Sequence, residues 1–171
     1  LGRLIPLIQK ADKRPLVRNY LVVTIMLVFT QKLAPDLDRI PDWTIALTAE
    51  QRTKTRQHID IPGADRMTLC LDRGVNISEG DRLISETGDK VLAIVAQPEP
   101  VITVTAPTNL DLIRAAYHLG NRHVPLEITS QYLRLEPDGV LADLLVKLGC
   151  HVTQEIAPFY PDKGAYHGHD H

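Results

Sequence analysis

The period of the apolar residues changes at "QPEP", 97–100, and the change splits the chain into two folding problems. Before it, from Met26 to about Ala96, apolar side chains recur at every second position. In "MTLCLD", 67–72, Met67, Leu69 and Leu71 fall on one face and Thr68 and Cys70 on the other, the alternation of a half-buried strand. "RTKTRQHIDI", 52–61, alternates as well, and Val28–Gln31 reads as a first strand. Turn signals at Pro62-Gly63, Asp72-Arg73-Gly74, Glu79-Gly80-Asp81 and Thr87-Gly88-Asp89 come at short intervals. No helical stretch of useful length interrupts them. Residues 26–97 are therefore expected to form an all-β domain, a small barrel or sandwich.

The two prolines of "QPEP" favour extended backbone and cannot continue a hydrogen-bonded ladder, which makes the segment a linker candidate. After it the order of patterns is β-α-β-β-α-β, the ferredoxin-like arrangement, over residues 101–158. "VITVTA" is the first strand. "PTNLDLIRAAYHLG" is a helix with Thr108 as N-cap and Asp111 three residues on, an apolar face of Leu110, Ile113, Ala116 and Tyr117, and Gly120 as the closing left-handed residue. "VPLEIT" and "YLRLE" are short strands. "PDGVLADLLVKLG" is a second helix, apolar at Val140, Leu141, Leu144, Leu145 and Leu148 and closed by Gly149, and "HVTQEI" is a last strand. The overall expectation is an α+β chain: a β-rich domain, a ferredoxin-like domain, and a mobile histidine-containing tail from 159 to 171, where no core pattern remains.

Residues 1–25 hold five basic side chains against one acidic, whereas the remaining 146 hold 14 basic and 20 acidic. The whole chain carries a net charge of −2, which gives no case for nucleic acid. "LVVTIMLVF", 21–29, is too short to span a bilayer and lacks a following small-residue cleavage site, so no membrane partner is expected. Residues 1–25 read as an upstream extension outside the fold, and the protein as cytoplasmic. Two cysteines make no disulfide framework; Cys70, in its apolar run, reads as a buried, inert thiol.

Six of the seven histidines lie between His118 and His171. His167, His169 and His171 are three imidazoles within five residues, and imidazole suits nickel, copper and zinc. A cloning tag would be an uninterrupted run, which this is not; a solvated tail without a role is the plainer alternative. His123 stands just beyond a helix end, where a histidine commonly caps a free carbonyl. One imidazole makes a poor metal site, although a two-fold axis through that surface would bring two His123 side chains together. Composition leaves this open. His151 follows Cys150 on a strand, where neighbours point to opposite faces and cannot readily chelate together. His58 reads as a surface strand position. Phosphate-loop, G-x-S-x-G and H-E-x-x-H patterns are all absent, so the donors point to carrying a metal rather than to catalysis, and no enzyme is expected.

"AAYHLGNRHVPLEI" (115–128), "GVLADLLVKLG" (139–149), the late "GAY" and the histidine-bearing C-terminus resemble the UreE family of urease accessory proteins. The likeness covers roughly residues 26–171, with "GNRHVPL", 120–126, as its most specific part. It implies a nickel metallochaperone that loads the urease active site, with a partner-binding β domain and a ferredoxin-like domain that forms a homodimer. The family's GNRH histidine falls on His123, paired across the dimer interface to bind Ni2+ as transported cargo. The tail histidines His167, His169 and His171 would complete the coordination. Implied partners are the urease accessory GTPase and the complex of urease apoprotein with its accessory proteins. Cu2+ or Zn2+ would be taken up by the same donors in vitro. Some relatives carry long polyhistidine tails or further histidines before the second helix; here the tail has three and that loop reads "EPDG", 136–139. Two other readings stand beside this one: a protein-interaction module with incidental metal binding, and a metal-dependent enzyme using the dimer site as a Lewis acid.

Overall fold

The computed structural model describes residues 27–34, 39–60 and 66–162. Residues 1–25, the Pro62-Gly63 turn and the tail histidines lie outside them.

Six strands form the first sheet: β1 (Leu27–Lys32), β2 (Trp43–Leu47), β3 (Arg56–Ile59), β4 (Met67–Cys70), β5 (Arg82–Ser85) and β6 (Val91–Ala96). Their spatial order is β2-β6-β5-β1-β4-β3, an all-β half-barrel whose inward side chains make one core. Phe29, Met67, Leu69, Leu83 and Leu92 are fully buried there, and Thr68 and Cys70 face outward as the alternation requires. Cys70 is therefore only half-buried, while Cys150 is the buried thiol, the reverse of the expected emphasis. Three of the predicted turns carry their glycines at positive φ: Gly74, Gly80 and Gly88. β1 pairs with β4 in parallel, and so does β2 with β6, pairings that short-range turn signals do not reveal.

One short helix does interrupt the strands. α1 (Ala49–Thr53) occupies the start of the stretch expected to be strand, and the strand β3 itself covers Arg56–Ile59. Its cause is a reciprocal capping box. The Thr48 hydroxyl accepts from the Gln51 N–H at 3.2 Å, and the Gln51 side chain accepts from the Thr48 N–H at 2.9 Å. "TAEQ" spells that signature in the sequence.

The second sheet holds β7 (Glu99–Thr105), β8 (Glu127–Ile128), β9 (Leu133–Leu135) and β10 (His151–Ala157), interleaved with α2 (Asn109–Gly120) and α3 (Gly139–Lys147). The order β10-β7-β9-β8, antiparallel throughout, is the ferredoxin-like arrangement. "QPEP" is not wholly a linker, because Glu99 and Pro100 begin β7. Pro100 pairs only with Ile156 of β10, since the β9 ladder starts at Ile102, so the proline stands where β7 has a strand on one side only, near the start of the strand.

Both helices cover one face of this sheet, but not by the expected side chains throughout. In α2 the buried residues are Leu112, Ala115 and Leu119, whereas Leu110, Ile113 and Tyr117 are 55, 65 and 66% exposed. α2 has two apolar stripes, each spaced for one helix face, and the sheet takes the second. In α3, Leu145 is fully buried and Leu141, Leu144 and Leu148 are half-buried, but Val140 is 78% exposed. The core also runs past Pro158, the expected end of the fold. Phe159 is completely buried with Ala49 and Val101 between the two sheets.

Candidate metal centre at the end of the second helix

α2 starts as its sequence predicts, with the Thr108 hydroxyl accepting from the Asp111 N–H at 3.2 Å. Its end differs. Gly120 is helical, and the chain turns only three residues later, at His123, whose φ of 56° makes it the only non-glycine described residue with positive φ. The His123 N–H donates to Gly120 O at 2.9 Å and the Val124 N–H to Leu119 O at 3.3 Å. These two bonds are those of a Schellman closure, with His123 in the left-handed position usually given to glycine. A residue with a Cβ pays about 1–2 kcal/mol to stand there.

His123 is exposed, and its ring meets no hydrogen-bond or ionic partner among the described residues. Beside it, Arg122 donates through Nη1 to the His118 carbonyl at 2.6 Å, which fixes the guanidinium along the helix end. The half-buried His118 ring packs edge-on against Tyr117 at 5.7 Å between centroids. The exposed Leu110–Ile113–Tyr117 stripe runs along α2 toward the same end.

Among the described residues no three His, Cys, Asp or Glu side chains come together in a metal-holding group. His123 is the one predicted ligand whose position is described; His167, His169 and His171 lie outside. His151 and Cys150 are not co-directed, one being exposed and the other buried. His58 is a surface strand residue, its Nδ1 2.9 Å from Thr68 Oγ1. The "EPDG" loop is engaged in capping, with Asp138 Oδ1 accepting from the Leu141 N–H at 2.9 Å.

A polar network close in sequence to His123 was not foreseen. Glu127, buried, accepts from the Tyr132 hydroxyl at 2.7 Å and from the Tyr160 N–H at 3.0 Å. Arg134 lies 3.5 Å from Glu127, donates to Glu155 at 3.1 Å and to Pro158 O at 3.0 Å, and stacks over Tyr132 at 4.8 Å. Bonds from the Thr103 hydroxyl and then from Arg134 hold the Glu155 carboxyl below its ordinary pKa. The bond to Glu127, with burial next, raises that of Tyr132. Glu127 and Thr103 are both register partners of Arg134 in the sheet, a relation that exists only once β7, β8 and β9 pair.

Two family models together match most of the chain: the N-terminal domain of UreE urease accessory protein over residues 29–97, and its C-terminal domain over 99–171. The chain belongs to the UreE family of urease accessory proteins. Its similarity to curated members is high. It is 48% identical to the urease accessory protein UreE of Nostoc punctiforme over 146 residues, covering 85% of this chain and 99% of the relative. With the UreE protein of Thermosynechococcus vestitus it shares 45% identity over 144 residues, 84% and 100% of the two chains. With that of Nitrosococcus oceani it shares 44% over 146 residues, 85% and 86% of the two chains. The UreE name is that of an accessory protein rather than of an enzyme. No helix among the described residues is long and apolar enough to cross a membrane.

Proposed function

We propose that the protein is a nickel metallochaperone of urease maturation, a cytoplasmic homodimer that holds Ni2+ between two His123 imidazoles and hands it on. The observation that carries this reading is the placement of His123: exposed, without a ring partner among the described residues, and held in a backbone conformation that disfavours any side chain. Strain retained at an exposed residue is a mark of function. The exposed stripe of Leu110, Ile113 and Tyr117 supports the dimer, because it gives the helix bearing this end a second apolar face for a second copy. A two-fold axis there supplies the second imidazole that one chain lacks.

Two imidazoles leave coordination positions open on a first-row ion. Tail donors from His167, His169 and His171 fill them and give way one at a time to ligands of the acceptor, so the ion passes without being freed. The acceptors in this reading are the urease accessory GTPase and the urease apoprotein–accessory complex. Nickel specificity lies in supply and handover, since copper binds such donors at least as tightly and zinc also binds them. Neutral imidazole is the ligand and protons compete for it, so affinity falls as the solution is made acidic.

Calorimetric titration of Ni2+ into the wild-type and His123→Ala proteins tests the reading. The tight phase is expected in the wild type at pH 8, weakened at pH 5.5, and absent from His123→Ala. Equal binding by both proteins would instead favour an interaction module that takes up metal incidentally.

A further inference from the structure

The last five described residues, 158–162, cross between the two sheets, and their backbone is held at almost every step. The Pro158 carbonyl accepts from Arg134 at 3.0 Å, and the Phe159 carbonyl accepts from Nη2 of Arg52. The Tyr160 N–H donates to Glu127 at 3.0 Å, and the Asp162 N–H donates to Leu126 O at 2.7 Å. Side chains add to this. Phe159 is fully buried, the Arg52 guanidinium lies 5.2 Å from the Tyr160 ring centroid, and the Tyr160 hydroxyl donates to Glu79. Chain ends ordinarily fray unless tied down. Here Arg52 and Glu127, two of the three buried polar or charged residues of the described fold, do the tying.

We propose that Arg52 and Glu127 are positioning residues for the tail: they hold 158–162 as a strap that delivers the chain beside His123. The proposal rests on the reading that tail histidines share the cargo ion with His123. Its geometric basis is the bond from Asp162 to Leu126, which lies three residues after His123 and so within about 11 Å of it along the chain. His167 is five residues beyond Asp162, a reach of at most about 18 Å. Without the strap the tail would start from Ala157, the end of β10, and ten residues instead of five would separate His167 from its root. Effective concentration falls roughly as the −3/2 power of linker length, so releasing the root costs about threefold from length alone, and more if the root moves away.

Glu127 acts on the strap from the ferredoxin-like half and Arg52 from the β-rich half. Neither is offered as a metal ligand. Arg52 also donates through Nε to Thr48 O at 3.4 Å, so the strap is tied to the cap of α1.

The test uses full-length protein and two readouts. Nickel affinity is measured in the wild type, Arg52→Met, Glu127→Ala and Glu127→Gln. Each is paired with a version in which His167, His169 and His171 are replaced by alanine, and the ratio within each pair gives the tail's contribution. Hydrogen exchange at the Tyr160 and Asp162 amides reports whether the strap is held. Arg52→Met and Glu127→Ala are expected to lose that protection and to lower the tail's contribution threefold or more. Their tail-substituted forms are expected to match the tail-substituted wild type. Glu127→Gln, which keeps an acceptor for Tyr160, is expected to restore most of the effect. Should Glu127→Ala misfold, Arg52→Met carries the test from the other sheet. Loss of protection with an unchanged contribution, or protection retained in both variants, overturns the proposal. A wild-type tail that contributes nothing overturns the shared-ion reading, and this proposal with it.

Discussion

The two helices of the ferredoxin-like half close with the same hydrogen bonds and differ in one residue. In α3 the Gly149 N–H donates to Val146 O at 3.0 Å and the Cys150 N–H to Leu145 O at 3.0 Å. In α2 the corresponding donors are His123 and Val124, and the acceptors Gly120 and Leu119. Both motifs are anchored by a fully buried leucine, Leu145 or Leu119, and both place an apolar residue after the turn, Cys150 or Val124, in the same core. Gly149 takes φ of 84° without cost from a side chain; His123 takes 56° with an imidazole attached. The fold therefore needs the turn and not the imidazole. What α2 gains over α3 is an exposed ring on a fixed backbone, which in the proposed reading is there to bind metal.

If the motifs are equivalent as structure, Leu119→Ala and Leu145→Ala should cost alike, each about 2–5 kcal/mol as the loss of a fully buried leucine. Urea unfolding measures this, and a large inequality would mean that one end carries more of the core than the other. Next in size is Gly149→Ala. An added Cβ meets nothing within 4 Å, so the expected cost of about 1–2 kcal/mol comes from backbone conformation alone. The reverse change at the other end, His123→Gly, should stabilise. Relief of about 1–2 kcal/mol of strain is partly offset by about 0.5–1 kcal/mol of glycine's chain entropy, leaving a small rise in melting temperature. A fall would show that the ring contributes packing. The smallest effect concerns the residue after each turn. Burial first, and then the Asp111 charge, push the Cys150 thiol up, so less of it is thiolate near pH 8. Colorimetric thiol titration should label the half-buried Cys70 first and leave Cys150 until the protein unfolds.

The same pair of helix ends marks how far the sequence could be read. "VKLGC" shows its closure directly, because glycine is the residue most at ease in a left-handed turn. "HLGNRHV" offers a glycine three residues early, and Gly120 draws the eye from the residue that turns. The distinguishing signal was the spacing from the buried leucine: Leu119 to His123 and Leu145 to Gly149 are both four residues. A second ambiguity lay in the helix itself. Leu110–Ile113–Tyr117 and Leu112–Ala115–Leu119 are equally good apolar stripes, and only packing against the sheet decides which is core. The strand order of the ferredoxin-like half followed from its alternation of patterns, whereas the parallel pairings of β1 with β4 and β2 with β6 rest on contacts far apart in sequence. Arg52, Glu127 and Phe159 escaped notice for that reason too, since the partners that bury them are distant along the chain. His123 was legible as a candidate; its strained backbone was not.

The central claim is that the imidazole at this turn exists for metal, and native mass spectrometry during a nickel titration of wild type and His123→Gly tests it most directly. The account predicts a wild-type dimer that takes up its first ion tightly, and a His123→Gly dimer, folded and at least as stable, that does not. First-ion uptake by His123→Gly indistinguishable from that of the wild type would contradict it.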